Sequence, residues 1–344
     1  MVDKRYAAQI RLPEIGISGQ QRLSESHVLC VGAGGLAASV LPALVAAGVG
    51  KITLIDKDVI SASNLNRQTL FLPTELGLPK VTQLATRLAA QNPSIAINPI
   101  IDNLTLENAY ALSNNHDLIL DCCDDYQTKL LINDTCVNFK KPWIYASALG
   151  WDGQVAMFSN SSLDTPCLRC YSSRIPINSL SCNNSGVLGA SVNIVGSFQA
   201  TLALQTLLQH YENKDKMYIF DLWSLQVQEF IIPYNNNCKH EQLINANYKN
   251  YQYTPLTTNE LDNFHIIDIR TLTEWENGHL PAAQHVNIGS LISNPEQYLV
   301  PSKPTLIYCN QQQLSKLAVD NLRPLGFNVW WLSGGYNAYK EKQG

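Results

Sequence analysis

The chain has 344 residues, 45% of them hydrophobic, with 24 Lys and Arg against 28 Asp and Glu. That length allows two domains with cores of their own, and a net charge of −4 argues against nucleic acid or a membrane surface as the main partner. Nine cysteines, an odd number spread through the chain, do not make a disulfide scaffold; metal binding and thiol chemistry in a reducing compartment fit them better.

The N-terminus, Met1 to Tyr6, lacks the apolar core of a signal peptide, and Arg5 to Gln21 reads as a helix and loop. Val28 to Asp58 is the most informative stretch. Val28-Leu29-Cys30-Val31 is a short apolar run, and Gly32-Ala33-Gly34-Gly35 is a glycine-rich turn. A small-residue helix follows to Gly50, and Ile52-Thr53-Leu54-Ile55-Asp56 is a second apolar run ending in an acid. A strand–turn–helix–strand unit with an acid about twenty positions past its glycines is a nucleotide-binding arrangement. Gly32, Gly34 and Gly35 let the backbone turn tightly beside a phosphate, and the helix start offers unpaired N–H groups to it. Asp56 is placed to take a ribose hydroxyl.

Val59 to Lys80 is a loop carrying Ser63-Asn64-Leu65-Asn66-Arg67-Gln68 and Gly77-Leu78-Pro79-Lys80. Val81 to Gln91 has helical spacing and Ile95 to Ile101 reads as a strand. Asp117 to Asp121 is a buried-type strand running into Cys122-Cys123-Asp124-Asp125. Pro142 to Ala148 and Gly153 to Phe158 add two strands. Gly186 to Gln209 is a long helix whose Ser191, Asn193, Ser197, Gln199 and Gln205 speak against a bilayer span. Met217 to Pro233 is a hairpin, and Tyr234 to Thr254 is an aperiodic linker rich in Asn, Lys and Tyr. A smaller αβ unit begins near Pro255.

This alternation predicts an α/β chain: a Rossmann-like, mostly parallel sheet with helices on both faces, followed by a small α/β domain. The boundaries read as 1–240, a linker at 241–254, and 255–344. Without a targeting or membrane segment, the expected location is cytoplasmic. Function is expected at the C-terminal ends of the strands, where Arg67, Lys80 and Asp124 all fall. Two cations and a carboxylate are more charge than a dinucleotide requires. They suggest triphosphate chemistry, with the cations on phosphate oxygens and Asp124 on Mg²⁺.

Residues 1 to about 240 resemble the adenylating enzymes of the ubiquitin-activating superfamily, in particular the molybdopterin-synthase adenylyltransferases and their thiamine-pathway relatives. The resemblance rests on Gly32-Ala33-Gly34-Gly35-Leu36, Leu54-Ile55-Asp56-Lys57-Asp58, Ser63 to Thr69, Gly77-Leu78-Pro79-Lys80 and Asp121-Cys122-Cys123-Asp124. It implies a small ubiquitin-like sulfur carrier ending in Gly-Gly, whose terminal carboxylate attacks the α-phosphate of ATP to give an acyl-adenylate and pyrophosphate. Gly35 then contacts the nucleotide, Asp56 the ribose, Ser63, Asn64, Arg67 and Lys80 the phosphates, and Asp124 the magnesium. A homodimer is also implied.

Two departures stand out. The family pattern Arg-Tyr-x-Arg-Gln is here Arg5-Tyr6-Ala7-Ala8-Gln9, so the arginine that reaches a partner's ATP is Ala8. Such a contact is worth roughly 1.5–3 kcal/mol; Arg5 and Arg11 are the nearby cations. Asp125 replaces the usual asparagine and adds a negative charge close to the phosphates.

Cys167-Leu168-Arg169-Cys170 has zinc-knuckle spacing but is only half a site. The family completes it with a second Cys-x-x-Cys, which here reads Cys238-Lys239-His240-Glu241. Cys167, Cys170, Cys238 and His240 are therefore the expected Zn²⁺ ligands. Cys182 stands where some family members link covalently to the carrier, although molybdopterin-type enzymes work without a cysteine there.

Residues from about 255 to 340 resemble a rhodanese domain through Asp268-Ile269-Arg270, Trp275-Glu276, Gly278 to Ala283, Tyr308-Cys309 and Leu332 to Tyr336. Cys309 is then the persulfide-carrying cysteine. The family's glycine three positions on and arginine five on are Gln312 and Leu314, a change that weakens anion stabilisation. The combined reading is adenylation of a sulfur carrier, molybdopterin type first and thiamine type next, with persulfide sulfur from a cysteine desulfurase or another donor. The alternative is a catalytically weakened nucleotide-binding interaction protein with an inactive rhodanese module.

Overall fold

The computed structural model describes residues 4–162, 165–172, 186–236, 238, 252–253, 258–299, 303–310, 313–323 and 327–341. The chain forms two compact units, each built on its own sheet. In the first the strands are β1 His27–Val31, β2 Lys51–Ile55, β3 Ala96–Ile100, β4 Leu118–Asp121, β5 Trp143–Leu149, β6 Asp152–Phe158, β7 Lys216–Asp221 and β8 Gln226–Ile231. Their order is β3-β2-β1-β4-β5-β6-β7-β8. Strands β1 to β5 pair in parallel, with Val28 opposite both Ile52 and Leu118, and β6 to β8 continue the sheet antiparallel. This is the mostly parallel Rossmann-like arrangement expected.

Strand order reverses between β1 and β4, and the crevice at such a switch point is where open α/β sheets bind ligands. β1, β2 and β4 are near-continuous apolar runs because both faces are covered. On one face Val28, Cys30, Ile52, Leu54, Leu118 and Leu120 pack against Leu36, Val40, Leu41 and Leu44 of the helix Gly35–Ala47, and against Val195 and Ala203 of the helix Gly189–Leu207. Each such fully buried Leu or Val contributes about 1.5–3 kcal/mol. The long helix starts at Gly189, later than its apolar pattern suggests. Gly150 takes up the preceding backbone, donating to Gly186 O at 2.8 Å and accepting from Leu188 N at 3.2 Å.

In the second unit, β9 Gln252–Tyr253, β10 His265–Asp268, β11 Gln284–His285, β12 Thr305–Tyr308 and β13 Val329–Leu332 form a parallel sheet. The order is β11-β10-β12-β13-β9, with β12 central. β9 falls in a stretch expected to be linker; a two-residue edge strand carries no readable alternation, and its pairing with Trp331 and Leu332 creates it. No helix of the described residues is long and apolar enough to cross a membrane.

Candidate functional site

At the end of β1, Gly32 has φ +96°, and a Cβ there would stand 2.6 Å from the carbonyl oxygen of Cys122. Only glycine lets the two strand ends approach so closely. Asp56, at the end of β2, fixes the turn: its Oδ2 accepts from Ala33 N at 2.7 Å and its Oδ1 from Asp58 N at 2.8 Å. The expected ribose acid is thus already held by backbone N–H groups at the turn. Gly34 precedes the helix Gly35–Ala47 in extended conformation.

The loop after β2 lies over this helix start. Arg67 N and Gln68 N donate to Asn64 O at 3.1 and 2.9 Å. Ser61 Oγ donates to Asn64 Oδ1 at 2.8 Å and lies 3.1 Å from Ser63 Oγ. The Arg67 guanidinium donates to Ser63 O at 3.1 Å and Asn66 Oδ1 at 3.0 Å. Ser63, Asn64 and Arg67 are therefore one hydrogen-bonded strap, and Arg67 touches Gly35. Gln68 is a residue without a predicted role. It is 4% exposed, its Oε1 has no hydrogen-bond partner among the described residues, and its Nε2 lies 3.7 Å from a Cβ built on Gly34. Its one sequence signal is its place beside Arg67.

Lys80 is buried, and its ammonium lies 3.0 Å from Asp58 Oδ2. Its backbone N also donates to Asp58 O at 3.0 Å, which fixes it at the β2 end that carries Asp56. Asp124 follows Cys123, whose backbone N would lie 2.9 Å from a Cβ on Gly32. Asp124 is exposed and makes no side-chain hydrogen bond or ion pair among the described residues. Asp125 caps the helix Tyr126–Phe139, accepting from Thr128 N and Thr128 Oγ1, both at 2.9 Å. A carboxylate there satisfies orphan donors and suits the positive end of the helix dipole.

Beneath the acidic turn is a buried polar cage that local sequence does not reveal. Lys129 donates to Asp121 Oδ2 and to Ala146 O, both at 2.7 Å. Burial opposes the charge of Lys129, but Asp121 outweighs it and holds the ammonium well above the usual lysine range. Asp121 Oδ1 accepts from the Cys123 thiol at 2.8 Å, and Gln199 Nε2 donates to Asp121 O at 2.8 Å. Burial pushes the Cys122 and Cys123 thiols well above their ordinary range, so neither is a ready nucleophile.

Cys167, Cys170 and Cys238 come together, with sulfurs 3.9 Å apart for Cys167–Cys170 and 3.7 Å for Cys167–Cys238. A tetrahedral zinc with Zn–S bonds of about 2.3 Å sets its sulfurs about 3.8 Å apart, so the donor set fits that metal. The knuckle is pinned to the helix Tyr126–Phe139 through Leu168 N to Asn133 Oδ1 at 2.8 Å and a bidentate Arg169–Asp134 pair at 2.8 and 2.7 Å. His240 and Cys182 lie outside the described residues.

In the second unit Cys309 follows the central strand β12. It is 4% exposed, with Sγ 3.5 Å from Ser315 Oγ. Gly335, at φ +69°, sits so close that a Cβ would stand 2.6 Å from Cys309 O. Asn310 Nδ2 donates to Glu274 Oε1 at 2.6 Å. Leu314, in place of the expected arginine, packs against the apolar core that holds Cys309; Gln312 lies outside the described residues. Arg270 forms a buried pair with Asp268 at 2.6 Å and stacks 4.0 Å from the centre of the Tyr336 ring.

Comparison with known proteins agrees with this geometry. Residues 6–240 match the ThiF family and residues 254–342 the rhodanese-like domain. The chain is 29% identical over 355 residues to a probable molybdopterin-synthase adenylyltransferase of Porphyra purpurea, covering 97% of this chain and 92% of that protein. It is 39% identical over 203 residues to an adenylyltransferase and sulfurtransferase, MOCS3, of Xenopus laevis, covering 58% of this chain and 45% of that protein. Its fold is similar to that of E. coli MccB crystallised with ATP, at a TM-score of 0.59 and 20% identity, over 69% of this chain and 74% of that one. The match over residues 6–240 takes in most of the chain, which therefore belongs to the ThiF family, with a rhodanese-like domain after it.

Proposed function

We propose that the chain uses ATP to adenylate the C-terminal glycine of a small ubiquitin-like sulfur carrier of the molybdopterin-synthase type. The observation that carries this reading is the strap Ser63–Gln68 laid against the glycine turn, with Arg67 in contact with Gly35. A carrier carboxylate oxygen attacks the α-phosphorus of ATP. The new O–P bond forms as the bond to the bridging oxygen breaks, and pyrophosphate leaves with that electron pair. Arg67 and Lys80 oppose the charge gathered on the phosphate oxygens, and Asp56 orients the ribose. Asp124, exposed and without a side-chain partner among the described residues, would hold Mg²⁺, which neutralises phosphate charge when bound. Cys167, Cys170 and Cys238, with His240 as fourth ligand, would hold a structural zinc.

The second module supplies sulfur. A Cys309 persulfide attacks the acyl carbon and AMP departs. An external thiol then attacks the Cys309 sulfur and forms a mixed disulfide with it, while the electron pair of the broken S–S bond leaves on the carrier as a thiocarboxylate. Both modules on one chain raise the effective concentration of the persulfide. Carrier-dependent exchange between ATP and labelled pyrophosphate tests the adenylation; its absence with every Gly-Gly-ending carrier at saturating Mg-ATP removes it. Thiocarboxylate yield by mass in Cys309→Ser tests the relay, and an unchanged yield excludes it.

A further inference from the structure

Three acids stand within five residues at the end of β4: Asp121, Asp124 and Asp125. Two of them are engaged inside the protein. Asp125 caps the helix Tyr126–Phe139 through Thr128 N and Thr128 Oγ1. Asp121 is buried; its Oδ2 accepts from the Lys129 ammonium at 2.7 Å, and its Oδ1 from Cys123 N at 3.2 Å and the Cys123 thiol at 2.8 Å. Asp124, between them, is exposed and makes no side-chain hydrogen bond or ion pair among the described residues. A single exposed carboxylate fits Mg²⁺, which keeps several waters and takes one or two carboxylates together with substrate phosphates.

A closed ring of bonds fixes the backbone on either side of Asp124. Cys123 is tied back to the end of β4 through Asp121, and Asp125 is tied forward to the start of the helix. Lys129, the fourth residue of that helix, closes the ring by returning to Asp121. Its second bond, to Ala146 O at 2.7 Å, anchors the ring to β5. Gln199 Nε2 repeats that link from the other side, donating to Asp121 O at 2.8 Å and Ile144 O at 3.3 Å. The ammonium also offsets the charge of Asp121, so the carboxylate under the turn adds little repulsion to Asp124.

We propose that Lys129 is a positioning residue for the magnesium ion: by joining Asp121 to the helix that Asp125 caps, it holds the Asp124 carboxylate in place for the metal. This rests on the adenylation reading, in which Asp124 takes the ion. Lys129 is buried beneath the turn and acts through Asp121. Groups that hold a metal ligand from behind typically change metal affinity by about 10- to 100-fold when removed.

The test titrates Mn²⁺ into the full chain saturated with the non-hydrolysable ATP analogue AMPCPP, and reads bound Mn²⁺ by electron paramagnetic resonance. Lys129→Met alone leaves a buried carboxylate unpaired, so Asp121→Asn with Lys129→Met is the informative variant, since removing both charges restores stability. Its Mn²⁺ affinity should fall about tenfold or more, while AMPCPP affinity without metal holds and the chain stays folded. Lys129→Arg keeps the charge and should bind Mn²⁺ close to the natural chain. Natural Mn²⁺ affinity in the double variant overturns the role of Lys129. An equal loss in a folded Lys129→Arg also overturns it, because packing and not the pair would then be responsible. Asp124→Ala separates the two readings. Weakened Mn²⁺ binding there, with the double variant unchanged, removes Lys129 alone. Unchanged binding in Asp124→Ala removes the metal assignment and the role of Lys129 with it, and failure of AMPCPP to bind strikes at adenylation itself.

Discussion

A Cβ built on Gly35 stands 3.1 Å from the carbonyl oxygen of Arg67 and 3.5 Å from its Cγ, so the glycine turn and the strap Ser63–Gln68 are one packed object. The missing side chain is what lets the guanidinium-bearing strap close over the helix start. Gly35→Ala is expected to push Arg67 outward, lowering ATP affinity about tenfold and stability by about 1–3 kcal/mol. Calorimetric titration with ATP and urea unfolding check the two effects separately.

Arg67→Ala removes charge without refilling the turn. Carrier-dependent pyrophosphate exchange should fall about 10- to 100-fold, the equivalent of roughly 1.5–3 kcal/mol. Unfolding midpoints should stay close to those of the natural chain, because Arg67 is only part-buried and its bonds are local. An equal loss of exchange and of stability would mean that Arg67 is structural.

The pair Asp121–Lys129 makes the opposite prediction. Both side chains are buried, so Lys129→Met leaves an unpaired carboxylate and should cost about 3–5 kcal/mol. Replacing both partners, as Asp121→Asn with Lys129→Met, should recover a large part of that loss. Urea denaturation of the three variants closes the cycle, and additive losses would argue against the coupling.

His116 gives a pH signature beside the start of β1, away from the glycine turn at its end. Its Nε2 meets Thr53 Oγ1 at 2.9 Å, its Nδ1 the carbonyl of Leu112, and its ring lies 3.8 Å from that of His27. Burial is the main cause that lowers its pKa to about 4, with the charges of His27 and Lys141 adding to it and Asp117 opposing. A histidine with a lowered folded pKa is stabilising while neutral. That contribution is present above the unfolded value of about 6.5 and is lost as pH falls toward 4. Between pH 7 and pH 5 the loss should be about 2 kcal/mol. The gap in unfolding free energy between the natural chain and His116→Gln should shrink by that amount; a constant gap would remove the assignment.

Metal content checks the cysteine cluster. One zinc per chain is expected, with Cys170→Ser lowering both the stoichiometry and the melting temperature. Chelator treatment of the natural chain should reproduce the drop, since structural zinc binding is folding free energy. The loss should reach the helix Tyr126–Phe139, to which Asn133 and Asp134 pin the knuckle.

Local sequence was enough to locate the glycine turn, the acid after β2, the strap at Ser63–Gln68, the Cys167/Cys170 pair and the strand-end Cys309. Each depends on backbone freedom or residue spacing within a few positions, and such constraints are written next to one another in the chain. Local sequence could not tell that Asp125 caps a helix through Thr128, or that Asp56 also ties down the turn through Ala33 N and Asp58 N, because the backbone partners of an acid are not written beside it. Nor could it assemble Asp121, Lys129 and Gln199 beneath the acidic turn, or bring Gly189 to Asn66. Those groupings depend on the packing of helices Gly35–Ala47 and Gly189–Leu207 over β1 and β4, a long-range choice made by burying apolar surface, to which polar residues contribute little signal of their own.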